Sequence, residues 1–348
     1  MHPSPPASRQ ATILDVARQA GVSTGTASLA LNGSARCSPV TAERVRAAAQ
    51  ALNYLPNHAA KSLRRQVSET VALVIPDIGN PVYVMMAKAV QAVVKAHHYH
   101  LTLISTDSVP HEELHAVQSL ARRSVDGLIL CSLRVTPELL GRLEAAPGPV
   151  CVIGQLPSSA GVDNVQVDSQ HGVALAVAHL ASQGRSRVGF INGPRDTVPA
   201  SARAAGYRRA LEAHGLPHDP SRVTHADFSV AGGQEGVARL WSARRDIDAL
   251  FCADDVIAIG AMRALRARGV GVPDEVAVVG MDDIPEGLLC TPTLSSVSLG
   301  AAERARRAAE LVFAALGSPG PSAARRVMVA PQLLVRESSA GPAAGVPG

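Results

Sequence analysis

The chain has 348 residues, 47 % hydrophobic and only 3 % aromatic, which provides for two or three domains with aliphatic, alanine-rich cores. No run nears the ~18 apolar residues of a membrane span, the Pro/Ser-rich start MHPSPPASRQ has no apolar signal core, and five scattered cysteines without CxxC spacing do not form a disulfide framework; the reading is a cytoplasmic protein. The net charge of +4 is unevenly placed: residues 1–68 hold eight Lys and Arg against two acids, the remainder 25 basic against 27 acidic residues, so the first module is suited to a polyanion.

In chain order, residues 1–10 read as a disordered tail. Thr12 can cap a helix, with Asp15 three residues on completing a capping-box variant. Ile13, Val16, Ala17 and Ala20 share a face at helical spacing, and Gly21 ends that helix. Ser23 caps a second helix, TGTASLAL (24–31), stopped by Asn32-Gly33. Ser38-Pro39 opens a third, with Val45, Ala48, Ala49 and Leu52 as its core face. Two helices joined this closely form a helix-turn-helix, although a plain three-helix bundle has the same spacing. The basic charge and the small hydroxylic face Thr24, Thr26, Ser28 favour the former. In the stretch 57–65, Asn57 can cap a short helix whose apolar stripe is Ala59, Ala60 and Leu63. Alone it is marginal, because helix nucleation is costly.

After Glu69 the texture changes. Apolar runs of strand length at 70–76, 101–105, 127–132 and 150–154 alternate with helical stretches near 82–97, 112–123 and 137–145. The alternation restarts with helices near 171–183, 200–214, 230–242 and 300–316, strands near 187–193, 249–255 and 275–283, and short strands near 326–336. Such alternation predicts parallel sheets covered on both faces, in two successive α/β units. A cleft at the carboxyl ends of the strands is the place for a ligand. The residues from 339 to 348 read as a loose tail.

The segments TILDVARQAGVSTGTASLALNG and SPVTAERVRAAAQALNYLPNHAAKSLR closely resemble the DNA-binding head of the LacI family of regulators. The resemblance implies that the helix from Thr24 enters the major groove, with Thr24, Gly25 and Leu29 at base-reading positions. Thr12, Ser23, Thr26, Ser28, Asn32, Ser38 and Thr41 fall at positions near phosphates. Leu29 stands where the family usually has Arg, so contact with a thymine methyl replaces a bidentate guanine contact. The resemblance further implies a hinge helix in the minor groove, involving Asn57, His58, Ala60 and Leu63, with Leu63 as the wedge that kinks the duplex.

The resemblance continues more loosely over 69–338. VIPDIGNPVY (74–83) matches the first strand and loop of the regulatory domain and implies Asp77, Asn80 and Tyr83 at the cleft mouth. SARAAGYRRAL (201–211) implies Arg203 as a ligand-holding arginine, ADFSVAGG (226–233) implies Phe228 as a stacking aromatic, and FCADDVIAIGAMRAL (251–265) and VVGMDD (278–283) imply Asp254 and Asp282. Carboxylates accept hydroxyl hydrogen bonds, a guanidinium donates several, and an aromatic face covers C–H groups, so the set suits a sugar or related metabolite. Two acids would also suit a partly cationic ligand, and each acid alone reads equally as a helix cap or an interlobe bridge.

The expected organisation is a disordered tail (1–10), an all-α helix-turn-helix head (11–56), a hinge (57–68), an α/β two-lobed, periplasmic-binding-protein-like regulatory and dimerisation domain with parallel sheets (69–338), and a tail (339–348). The expected partners are double-stranded operator DNA, a small-molecule effector and a second copy of the chain, with no membrane, cofactor or metal. HHYH (97–100) and His111-x-x-x-His115 lack a completing Cys or acidic pattern and read as surface histidines. A solute-binding protein of a transport system shares the two-lobed fold, but the basic head and missing signal peptide argue against it. An α/β enzyme is disfavoured because no nucleophile–base pair or cofactor motif is recognisable.

Overall fold

The computed structural model describes residues 11–31, 36–54, 67–243, 246–318, 320 and 323–340. Asn32 and the hinge residues Asn57, His58, Ala60 and Leu63 lie outside them. The chain divides into two compact units, one ending at Ser68 and the other starting at Glu69.

The first unit holds α1 (Ile13–Gln19), α2 (Thr24–Leu31) and α3 (Pro39–Ala51). Its core is made of small side chains: Val16, Ala17, Ala20, Ala27, Ala30, Ala42, Val45, Ala48 and Ala49. Alanines at these positions let three short helices approach closely while keeping high helix propensity. Gly21 (φ 61°) supplies the left-handed turn after α1.

The second unit contains two parallel-dominated sheets, each of six strands. The first lobe is built on β1 (Thr70–Ile75), β2 (His100–Ser105), β3 (Gly127–Cys131), β4 (Val150–Ile153), β5 (Asp163–Val167) and β11 (Arg326–Val329), in the order β11-β5-β4-β3-β1-β2. The apolar run of β1 follows from burial on both faces. Val71, Leu73 and Ile75 face a layer that includes α4 (Pro81–Ala96) and α11 (Ala301–Leu316), while Ala72 and Val74 face the layer of α5 (Pro110–Ala121) and α6 (Pro137–Glu144).

The second lobe is built on β6 (Val188–Asn192), β7 (Val223–His225), β8 (Ala249–Cys252), β9 (Ala277–Met281), β10 (Ser295–Ser298) and β12 (Gln332–Leu334), in the order β12-β10-β9-β8-β6-β7. All its pairings are parallel except β10 with β12. Around this sheet lie α7 (Ser169–Ser182), α8 (Val198–Ala213), α9 (Val230–Ala243) and α10 (Asp255–Arg266). Two glycines bring α9 and α10 together: a Cβ on Gly260 would lie 2.1 Å from the Val230 carbonyl oxygen, and one on Gly233 would lie 2.1 Å from that of Ile257.

Three features differ from the expectation. The lobes are not successive halves: the chain crosses between them after β5, after β10 and after β11, so α11 and β11 complete the first lobe. The strands β5, β7 and β10 are too short or too polar to read from pattern; β10 is SSVS, with Ser295 and Ser296 wholly buried. Finally, order extends past 338. The helix α12 (Glu337–Ala340) buries Ser338 and Ser339, and Ser339 Oγ lies 2.7 Å from both Ser295 Oγ and His179 Nε2. Residues 341–348 are outside the described residues.

No helix among the described residues is long and apolar enough to cross a membrane. Among the same residues no group of three or more His, Cys, Asp or Glu is arranged to hold a metal ion. His97 instead stacks on Phe313, centroids 4.0 Å apart.

Candidate functional site

Each helix of the first unit starts on a hydroxyl. Thr12 forms a full capping box: its Oγ accepts from Asp15 N, and Asp15 accepts from Thr12 N (2.9 Å). Ser23 Oγ accepts from Thr26 N (3.1 Å) and Ser38 Oγ from Thr41 N (3.3 Å). In both pairs the hydroxyls also meet, Ser23 with Thr26 at 2.9 Å and Ser38 with Thr41 at 2.8 Å. These are the residues that sequence analysis set near phosphates, and helix N-termini favour anions. On α2, Ala27 and Ala30 are buried whereas Thr24, Gly25 and Leu29 are exposed. Leu29 keeps 41 % of its surface in water, and Leu14 and Val40 of the same unit are more exposed still.

The second unit has a cleft between its lobes, of about 800 Å³ with the mouth included. Asn80, Tyr83, Arg203, Phe228, Asp254 and Asp282 all line it. They come from the ends of β1, β6, β7, β8 and β9 and the segments that follow, as the strand-end rule requires. Asp77 is the exception and is corrected here. It is exposed, and its carboxylate accepts from Gly79 N (2.7 Å), closing a local turn rather than facing the cleft.

Asp254 is both helix cap and interlobe bridge. Its Oδ1 accepts from Ile257 N (2.7 Å) at the start of α10, and its Oδ2 accepts from Asn80 Nδ2 (3.3 Å) across the cleft. Asn80 in turn caps α4, its Oδ1 accepting from Val82 N (3.1 Å). Burial, with the Asp282 charge adding to it, raises Asp254 to about 7.

The pairs Asp254-Asp255 and Asp282-Asp283 divide their labour. Asp255 is buried behind the cleft, where it accepts from Ser296 Oγ (2.7 Å) and Ile284 N (2.9 Å). Asp283 pairs with Arg336 (2.6 Å). Asp282 faces the cleft from a backbone at φ 105°, a region that side chains rarely adopt. Burial raises it to about 6, offset by the charges of Arg203 and Arg304. Phe228 lies against the chain at Gly193, where a Cβ would meet its ring at 2.4 Å. Tyr83 is partly exposed, but enclosure of its hydroxyl pushes that group well above its usual range.

Sequence reasoning missed part of the lining. Ser132, Gln155 and Ser169 add polar groups, and Met86, Ile153 and Leu299 apolar ones. Behind Ser132, whose hydroxyl donates to Glu113 (2.9 Å), burial raises that carboxyl to about 7. The largest omission is Arg304 on α11, a second buried guanidinium. Nearer the surface, Arg134 of the first lobe holds Asp196 of the second in a two-pronged ion pair, at 2.7 and 3.0 Å.

A small capped, basic helical head and a separate two-lobed domain with a buried polar cleft define a ligand-responsive DNA-binding regulator. Residues 12–57 match the family model for bacterial regulatory proteins of the lacI family, and 177–339 match that for a periplasmic binding protein-like domain. The chain is 33 % identical over 338 residues to the transcriptional regulator GalR of Salmonella typhimurium, covering 95 % of this chain and 97 % of the relative. It is 34 % identical over 339 residues to the regulator CelR of Thermobifida fusca, covering 95 % and 98 %. Its structure is similar to that of a CelR–cellobiose complex (TM-score 0.72, 31 % identity, 94 % and 100 % covered). It shares its fold with the lac repressor dimer bound to operator (TM-score 0.81, 23 % identity, 95 % and 99 % covered). The chain belongs to the lacI family of bacterial regulatory proteins and is a DNA-binding transcriptional regulator, not an enzyme.

Proposed function

We propose that the protein is a repressor that binds a near-palindromic operator as a homodimer, with its DNA affinity set by a sugar or related metabolite held between the lobes. One observation carries the effector half of this reading: Arg203, Asp254, Asp282, Asn80 and Phe228, far apart in sequence, line one enclosed cleft. Donors, acceptors and an aromatic face are what a polyhydroxylated ligand needs. The CelR relative solved with cellobiose supports the same ligand class.

In the head, Thr24, Gly25 and Leu29 read base edges, and Thr12, Ser23, Thr26, Ser28, Asn32, Ser38 and Thr41 position it on phosphates. The hinge, 57–68, enters the minor groove with Leu63 as wedge, and Asn57, His58 and Ala60 flank it. A two-fold dimer reads two half-sites, which mirrors its symmetry in the DNA. Ligand that binds one lobe arrangement more tightly shifts the hinge equilibrium and hence operator affinity.

The test is selection of random duplex DNA by the full-length protein, alone and with a metabolite pool. A near-palindromic motif, with a salt-dependent affinity, is expected. No enrichment under either condition would sink the reading. Leu29→Arg should change the selected motif, and Leu63→Ala should weaken binding to it while sparing non-specific DNA. Arg203→Ala should abolish the ligand response with operator binding kept.

A further inference from the structure

The second arginine changes what the cleft can hold. Arg203 and Arg304 are only 7 % and 8 % exposed, and both line the same cavity. The Nε of each is enclosed and has no hydrogen-bond partner. Two other arginines with an enclosed, bare Nε, the buried Arg222 and the half-buried Arg185, show the contrast. Arg222 places Nη2 on Asp246 (2.8 Å), and Arg185 directs its outer nitrogens at the carbonyls of 273–275. Among the described residues, Arg203 and Arg304 form no such bond and no ion pair. Burying a cation without a partner costs several kcal/mol, so two of them facing one cavity mark a place for something that pairs with both.

The cleft's own carboxylates do not fill that place. Asp254 is engaged by Ile257 N and Asn80, Asp255 by Ser296 and Ile284 N, and Asp283 by Arg336. The charge of Asp282 acts on both guanidiniums and that of Asp254 on Arg203, but among the described residues neither carboxylate forms an ion pair with either arginine. Burial raises Asp254 to about 7, with the Arg203 charge and the Asn80 hydrogen bond acting the other way.

We propose that the effector carries an oxyacid group, a carboxylate or a phosphate ester, on a polyhydroxylated frame, and that Arg203 and Arg304 hold that group. This rests on the reading that the cleft is the effector site, and narrows it from sugars to their acidic derivatives. A planar guanidinium matches an oxyacid in geometry as well as charge. Ser132, Ser169 and Gln155 remain for hydroxyl groups, and Phe228 and Leu299 for C–H faces.

The test follows thermal unfolding of the full chain while inorganic phosphate, acetate or D-glucose is titrated against chloride at constant ionic strength. A saturable rise in Tm with an oxyanion is expected. Phosphate alone assigns a phosphate ester, acetate alone a carboxylate, and both assign an oxyacid in general. Arg304→Gln should weaken the response roughly 10- to 100-fold. Arg209→Gln, on the exposed face of α8, should leave it unchanged. Arg304→Met should unfold no earlier than the wild type without ligand, since it removes an unpaired buried charge. No saturable response to either anion overturns the proposal, and a rise with D-glucose in the same assay would leave the cleft reading standing. A response unaltered by Arg304→Gln, or early unfolding of both Arg304 variants, also overturns it, the latter by making Arg304 structural.

Discussion

The head and the two-lobed domain treat their polar groups in opposite ways. In the head, the caps Ser23 and Ser38 and the ion pairs Arg18–Asp15 and Arg46–Glu43 stand at the surface over a core of alanines and two valines. The two-lobed domain drives Arg203, Arg304, Asp254, Asp255 and Asp282 inside. The difference follows from the partners. A duplex is a rigid polyanion that an exposed, weakly desolvated surface can read through water and counterions. A small molecule offers little area, so its site must be enclosed and prepared in advance, and the fold bears the desolvation cost. Changes to the head should therefore be small and local, whereas changes to the sensor should be large and should depend on pH and ligand.

The largest effect is expected where the sensor has no slack. Gly260→Val would drive a side chain into the Val230 carbonyl and force α9 and α10 apart. The expected loss is about 3 kcal/mol or more, read as a fall in Tm. Wild-type unfolding in this variant would break the comparison, because tight helix contact would then not be what supports the cleft.

A second test uses protons. Asp254 rises from the ordinary 3.8 to about 7, and Asp282 to about 6, burial being the main cause for each. A carboxyl whose pKa is higher folded than unfolded binds its proton more tightly in the folded state. Stability then falls as pH rises from about 4 through the folded pKa, and the penalty is complete above it. Glu113 works in the same direction, whereas His179, pushed down by burial, favours folding as pH rises. Asp254→Asn isolates one contribution, since an amide oxygen can still cap Ile257 N. The variant should gain on the wild type by on the order of 2 kcal/mol between about pH 5 and pH 7.5. A constant difference across that range would show that Asp254 stays ionised throughout.

The head should respond more mildly. Removing one cap, as in Ser23→Ala, is expected to cost about 1 kcal/mol of head stability. The change should be visible in a proteolysis or hydrogen-exchange measurement of α2 and absent from the sensor's pH profile. A loss of several kcal/mol would mean that these hydroxyls support tertiary structure, and the two regions would differ less than their burial implies.

The same contrast explains what could be read from the chain. The head was legible because its signals are local: Thr12 with Asp15, Ser23 with Thr26, and Ser38-Pro39 each sit within one turn. In the cleft, the aspartates at the ends of β8 and β9 were legible from the resemblance of their segments, FCADDVIAIGAMRAL and VVGMDD, to the family's strand-end corners. Asp77 misled because its loop matches while its carboxylate turns back on Gly79. Arg304 was hidden inside AAERARRAAEL, which reads as a solvated ion-paired helix, and Arg306 and Arg307 do pair with Glu303 and Glu310 there. Its signal was the register. Arg304 falls on the stripe of Ala301, Ala305 and Ala308 that α11 buries, and a charge on an apolar stripe is a question the sequence already poses. The chain's return to the first lobe through β11 was not legible, because nothing local distinguishes its partner β5 from β12's partner β10.

The smallest stability effect is expected at the cleft mouth, where the sensor behaves like the head. Arg134 is mostly covered but Asp196 is 67 % exposed, so their two-pronged pair is screened by water. Arg134→Ala should cost at most about 1 kcal/mol of stability. The pair nonetheless spans the lobes, as does the Val198 N to Leu133 O bond (2.9 Å) beside it. Breaking it removes a contact that ties one lobe to the other. The variant should therefore shift the lobe equilibrium more than the folding equilibrium, changing the effector concentration needed for a half-maximal change in operator affinity while Tm hardly moves. Equal shifts in both would place Arg134 with the structural ion pairs. A change in effector response alone would make it the latch whose strength sets the sensor's threshold.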